Sequence, residues 1–166
     1  MALDPKNLNA RSSLMTVYQQ APSMMGGGMA KAYEQAAAIK QLDATRGRLA
    51  FATLHAADKQ YDLAFAEFDE VLKATPDNYV ALYQVGKLAA TSGQFLDRGL
   101  AALRRCLELP VPDVSGTPGH AAAHWRIGHI LEKKHDPAGA RAAYQAAVKL
   151  DATFTQAAAA LKKLGP

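Results

Sequence analysis

His124 to Leu150, HWRIGHILEKKHDPAGARAAYQAAVKL, decides the fold. It reads as two helices and a tight turn. Ile127, Gly128 and Leu131 share one face of the first. Ala140, Ala143, Tyr144, Ala147, Val148 and Leu150 form the apolar face of the second, close to i, i+3, i+4, i+7 spacing. Between them Asp136 is suited to cap the second helix, and Pro137 fits its first position, where a missing N–H does no harm. Small residues, Gly128 and Ala140, stand where the helices must approach, and large ones, Ile127 and Tyr144, fill the space beside them. That alternation predicts a closely packed helical hairpin.

The pattern recurs upstream. Leu82-Tyr83-Gln84-Val85-Gly86 is followed by Phe95, Gly99, Leu103 and Pro110, and Phe51-Ala52 by Tyr61, Ala64, Phe68, Val71 and Pro76. Together these motifs resemble the tetratricopeptide repeat, W-x2-L-G-x2-Y…A-x3-F…P with a period of about 34 residues. Ala64-x3-Phe68 and Ala140-x3-Tyr144 match its second helix; Val85-Gly86 and Ile127-Gly128 match its first. The resemblance covers the last three quarters of the chain. It departs at Phe51-Ala52, which replaces Leu-Gly, and at Ala152, which replaces the closing proline. Gly99 comes one residue late, so the turn around Ser92–Arg98 is expected to carry an extra residue. The resemblance implies an all-α, right-handed α-solenoid of antiparallel hairpins, with about nine helices.

Composition agrees. About a fifth of the 166 residues are alanine, the best helix former. No stretch alternates like a half-buried strand. The net charge is +4, with Lys and Arg spread along the chain rather than clustered as in a nucleic-acid binder. The single cysteine, Cys106, excludes an intramolecular disulfide and reads as a small core residue. No run is apolar and long enough to span a membrane.

The organisation follows in order. Residues 1–44 are a degenerate N-terminal helix pair with a glycine-rich loop, 45–154 three repeat-like units and 155–166 a capping helix. All form one continuous domain, expected to be a fragment of a longer protein. Asp4 and Pro5 are expected to open a first helix through about Gln19. Gly26-Gly27-Gly28 must be a loop, with Met24 and Met25 packed beneath it. It lacks the Gly-Lys-Ser/Thr ending and the preceding strand of a phosphate cradle. The stretch AP-x2-MGGG-x2-KA, Ala21 to Ala32, is similar to one in bacterial tetratricopeptide proteins, many of them exported. The sequence leaves the compartment open, between bacterial cytoplasm and, if a leader was removed, periplasm. The Pro/Gly-rich segment Pro110–Gly119 is an enlarged surface loop, with Thr117 and Pro118 placed to start the next helix. Thr153 or Thr155 caps the last helix, and Ala158, Leu161 and Leu164 cover the end of the array.

The chemistry of sites is sparse. His120 and His124 are four apart, a metal-ligand spacing, but no carboxylate pair or HExxH completes a site. No nucleophile elbow or nucleotide fingerprint occurs. No catalytic residue, metal or cofactor is therefore assigned. The resemblance implies a protein-binding scaffold whose concave groove is lined by first helices. Helical phase turns Arg46, Leu49 and Thr53, then Tyr83, Gln84 and Lys87, then Trp125, Arg126 and His129 toward that groove. Trp125 stands three before Gly128, whereas the motif tryptophan stands four before; His124 takes the motif position. Family members that clamp a chaperone C-terminus use Lys, Asn and Arg, and Leu49, Thr53 and Ala122 depart from that set. The implied partner is a protein segment with apolar residues and one or two acidic groups. Self-association into a homo-oligomer and small-molecule or anion binding are the alternatives.

Overall fold

The computed structural model describes residues 6–165. Among these there are nine α-helices and no strand: α1 (Leu8–Gln20), α2 (Met29–Leu42), α3 (Ala44–Ala57), α4 (Tyr61–Ala74), α5 (Tyr79–Ser92), α6 (Leu96–Glu108), α7 (His120–Lys133), α8 (Pro137–Leu150) and α9 (Thr155–Leu164), with a short 3-10 turn at Ser23–Met25. The chain forms two compact units, Met1–Pro76 and Asp77–Pro166.

In the first unit α1 to α4 pack consecutively. Met15, Ala32, Ala36, Ile39, Ala50 and Leu54 form a buried cluster, with Leu8, Tyr18, Met29, Tyr33 and Phe51 packed around it. Gly47 makes this crossing possible: a Cβ there would lie 2.2 Å from the Lys40 Cα. Glu67 on α4 receives Arg48 of α3 at 2.9 Å and Lys40 of α2 at 3.7 Å, tying three helices together.

In the second unit α5 packs on α6 and α7, α7 on α8, and α8 on α9. The deciding stretch folds into two helices and a tight turn, with Ala140, Ala143, Tyr144 and Ala147 buried. Asp136 Oδ1 accepts the Gly139 N–H at 2.9 Å, and Pro137 is the first residue of α8. Gly128 lies against Tyr144, whose side chain is fully buried. The late Gly99 is explained too. The α3–α4 and α7–α8 turns each hold one left-handed non-glycine residue, Lys59 and His135, whereas the α5–α6 turn holds Gly93 and Phe95, at φ 77° and 52°. The expected extra turn residue is absent: α3, α5 and α7 each have 14 residues, and the three turns are equally long. Gly99 is the fourth residue of α6, as Ala64 is of α4 and Ala140 of α8, and its lateness arises because Gly86 sits one position earlier in α5 than Ala52 in α3 or Gly128 in α7.

Several expected boundaries shift. Asp4 and Pro5 lie outside the described residues; α1 is capped by Asn7, whose Oδ1 accepts the Ala10 N–H at 3.0 Å. Gly119, not Thr117, precedes α7, because the Pro118 carbonyl is taken by the Tyr79 hydroxyl at 2.8 Å. Thr153 does not cap α9; its N–H and hydroxyl both go to Asp151, at 2.9 and 2.6 Å. The buried residue of α9 is Ala157 rather than Ala158, with Leu161 and Leu164 half-buried. Leu150 ends α8 facing solvent. Met24 and Met25 are not packed beneath their loop but stand out from it.

Candidate functional site

The nine residues expected to line a groove divide between the units, three on α3 and six on α5 and α7. On α3, Arg46 and Thr53 are exposed and Leu49 is half-buried. Arg46 reaches Asp43 at 3.6 Å, and the Thr53 hydroxyl donates back to the Leu49 carbonyl at 2.9 Å.

On α5, Lys87 is exposed and Gln84 half-buried, but Tyr83 is 5% exposed and does not face outward. The reason is in the helix itself. Tyr79, Ala81, Leu82, Val85, Leu88, Ala89 and Ala90 are all buried as well. A helix apolar around most of its circumference has no single buried stripe from which to fix the remaining phase. Tyr83, one turn beyond Tyr79, goes inside with it.

On α7, Trp125, Arg126 and His129 are brought together, all half-buried. The Arg126 guanidinium carbon lies 4.2 Å from the centre of the Trp125 ring. The His129 ring is 4.5 Å from Trp125, and the His129–Tyr144 pair meets edge-to-face at 5.8 Å. Phe154, just before α9, meets Trp125 edge-on at 5.7 Å. The Tyr144 hydroxyl donates to Glu132 at 2.7 Å. Burial, then Arg126, hold the His129 imidazole below its usual range; Lys133 and Lys163 act in the same sense, and Glu132 opposes them.

Two polar atoms in this cluster are shielded from solvent and have no hydrogen-bond partner among the described residues: Trp125 Nε1 and Arg126 Nε. Both are donors. Unsatisfied buried donors are rare, because each forgoes about 1–3 kcal/mol of solvation without return. Charge adds to this. Residues Met1–Pro76 carry eight Lys and Arg against eight Asp and Glu; Asp77–Pro166 carry eleven against seven, so the whole +4 resides in the second unit. Its acids are largely engaged. Asp77 and Glu108 hold Arg105, and Asp97 holds Lys134; Glu132, Asp136 and Asp151 accept the hydrogen bonds already described.

Tyr144 and Phe154 were missed as members of this cluster. An aromatic residue opening the last helix, as Tyr79 opens α5, was the available signal for Phe154. Elsewhere, His120 Nε2 is paired with the Leu109 carbonyl at 2.9 Å. Burial first, then the neighbouring His120, hold His124 low. Among the described residues no group of three or more His, Cys, Asp or Glu gathers in metal-binding geometry. Cys106 is buried, points its thiol at the Tyr79 carbonyl at 3.6 Å, and is pushed up to about 12 by burial.

No protein-family model matches the chain, and no curated protein matches it in sequence. Among solved structures 27 chains match. One, the MamA RS-1 ArsTM double mutant, aligns with a TM-score of 0.67 and 19% identity, over 93% of this chain and 83% of that one. It has a tetratricopeptide-type helical fold, so the chain described here is an all-α helical-repeat protein of tetratricopeptide-like architecture.

Proposed function

We propose that the chain is a protein-interaction module, not an enzyme, and that the α7 face of its second unit takes up an acidic, partly apolar segment of a partner protein. The observation that carries this reading is Arg126. Its guanidinium lies over the Trp125 ring, its Nε–H has no acceptor among the described residues, and it belongs to the unit holding the chain's entire positive excess. Arginine and tryptophan are the residue types that most often dominate interface energy. A guanidinium against an aromatic face is held ready for a carboxylate, and a charge-assisted pair of this kind is about twice as strong as a neutral hydrogen bond. Gln84 and Lys87 on α5, which packs beside α7, extend the polar rim. Arg46, Leu49 and Thr53 on α3 are proposed as a separate contact surface of the first unit.

The test is selection from a random peptide display library on the immobilised full chain. Selected peptides are then titrated against wild type and Arg126→Gln, with intrinsic fluorescence as readout. Trp125 is the only tryptophan, so the signal is local to the site. Peptides rich in Asp and Glu are expected, with binding about tenfold or more weaker in the variant, the loss of roughly one charge-assisted contact. Equal affinity for both proteins refutes the assignment to Arg126. A library yielding no binders refutes the peptide-binding reading itself.

A further inference from the structure

The loop between α1 and α2 holds two methionines in water. Met24 is 93% exposed and Met25 77% exposed, among the largest apolar exposures in the described chain. This is not a consequence of loose chain. The Met25 and Gly27 N–H groups donate to the Pro22 carbonyl at 2.9 and 3.2 Å, Gly26 N–H to Ser23 at 3.0 Å, and Gly28 N–H to Tyr18 at 2.8 Å. The Lys31 ammonium closes the loop onto the Gly26 carbonyl at 2.8 Å. Gly27 is buried against the Ala21 backbone, where a Cβ would come within 2.2 Å of the carbonyl oxygen. Gly26 supplies the left-handed turn, at φ 81°. The backbone is thus fixed in a form that points both side chains outward, although burying a methionine is favourable. The remaining methionines of the described residues behave conventionally: Met15 is 8% exposed and Met29 packs on the first unit's core.

We propose that Met24 and Met25 are a modification site, a methionine pair that reacts with hydrogen peroxide and related two-electron oxidants and switches the loop tip from apolar to polar. A sulfur lone pair attacks one peroxide oxygen. An S–O bond forms as the O–O bond breaks, and the departing oxygen takes up the proton and leaves as water. Sulfur gives up two electrons and peroxide is reduced by two. The product is methionine sulfoxide, which sulfoxide reductases return to the thioether. Access decides which methionines react. The pair meets the oxidant directly, whereas Met15 must wait for the core to open. Both side chains lie largely in solvent, so the modification changes the surface and leaves the helices intact.

The experiment uses the full chain and hydrogen peroxide at neutral pH. Oxidation is quenched at intervals and localised by fragmenting the tryptic peptide Ser12–Lys31, which carries Met15, Met24, Met25 and Met29 together. Met24 and Met25 should gain oxygen at the rate of free methionine and at least about tenfold faster than Met15. Helicity should be unchanged, retention on a hydrophobic-interaction column should fall, and the two epimer-specific reductases should remove the added oxygen and restore retention. The Met24→Leu/Met25→Leu variant keeps apolar volume without sulfur, and its retention should not respond to peroxide. Oxidation of Met15 in step with the pair, loss of helicity that tracks uptake, or a peroxide response surviving in the double variant would each overturn the proposal.

Discussion

Replacing Gly128 by alanine tests the packing that places Trp125 and Arg126. An alanine Cβ would sit 2.2, 2.5 and 2.7 Å from the Cε1, Cδ1 and Cζ atoms of Tyr144, so the ring must retreat by more than an ångström. It has nowhere open to go, because Tyr144 is 0% exposed, and any retreat stretches its 2.7 Å bond to Glu132. Overpacking of a filled core costs about 1–3 kcal/mol. A hydrogen bond to a charged group contributes about 1.5–3 kcal/mol. Against these, Gly→Ala inside a helix returns about 1 kcal/mol. The net is a destabilisation of about 1.5–5 kcal/mol, which for a chain of this length lowers Tm by roughly 4–15 °C. Thermal melts followed by far-ultraviolet circular dichroism and by Trp125 fluorescence measure it. If the lost hydrogen bond carries part of the cost, Gly128→Ala and Tyr144→Phe are less than additive when combined. An unchanged or raised Tm in Gly128→Ala would show that the α7–α8 interface has room the geometry denies, and the reasoning would fail.

Four further outcomes follow from the same structure. His129 titrates below its ordinary 6.5 because of burial and Arg126; since protonated imidazole quenches indole at close range, Trp125 fluorescence should fall with a midpoint below 6.5, and His129→Gln should flatten that curve. The linked stability has a definite sign: the unfolded chain protonates His129 first, so stability is full above 6.5 and is lost as pH falls through the folded value, with His124 contributing in the same direction; a Tm that rises on acidification through this window contradicts it. Asp136→Ala removes the α8 cap and should cost about 0.5–2 kcal/mol, with Asp136→Asn nearly neutral, as denaturant titration would record. Cys106, buried and shifted to about 12, should resist a thiol-reactive aromatic disulfide in the native chain and react promptly in guanidinium; fast native labelling would mean the α5–α6 hairpin opens.

The hairpins were legible because their information is local. Asp136-Pro137 specifies a helix start through one side-chain hydrogen bond and one fixed φ, both properties of adjacent residues. Gly128 and Tyr144 specify a close approach through size alone. Where the answer depended on what lies across a contact, the sequence was silent. Thr117-Pro118 carries the same local signal as Asp136-Pro137, yet Pro118 spends its carbonyl on Tyr79, 39 residues earlier, and the helix starts at His120. Met24 and Met25 read as core by type, and only the backbone hydrogen bonds around Gly26 and Gly28 turn them out.

The candidate site shows the same division one level up. Helical phase is an angle measured from a known buried residue, and it discriminates only when the helix has a polar side. On α7 the buried set Ala123, Ile127, Gly128 and Ile130 leaves a distinct stripe, and Trp125, Arg126 and His129 lie together beside it. On α5 the apolar residues run around the helix, and Tyr83 was misplaced for that reason. Phase also says nothing about depth. Trp125 shares a face with Arg126 but is braced by Phe154 from beyond α8 and by His129 from its own helix. The indole is therefore better seen as the wall that holds the Arg126 guanidinium in place than as a freely exposed anchor. That distinction orders the variants: Arg126→Gln removes a recognising charge from a standing wall, whereas Trp125→Ala takes down the wall and loosens the seat of α9 with it. A binding loss in the first with helicity retained thus bears on recognition, while a loss in the second bears on recognition and architecture at once.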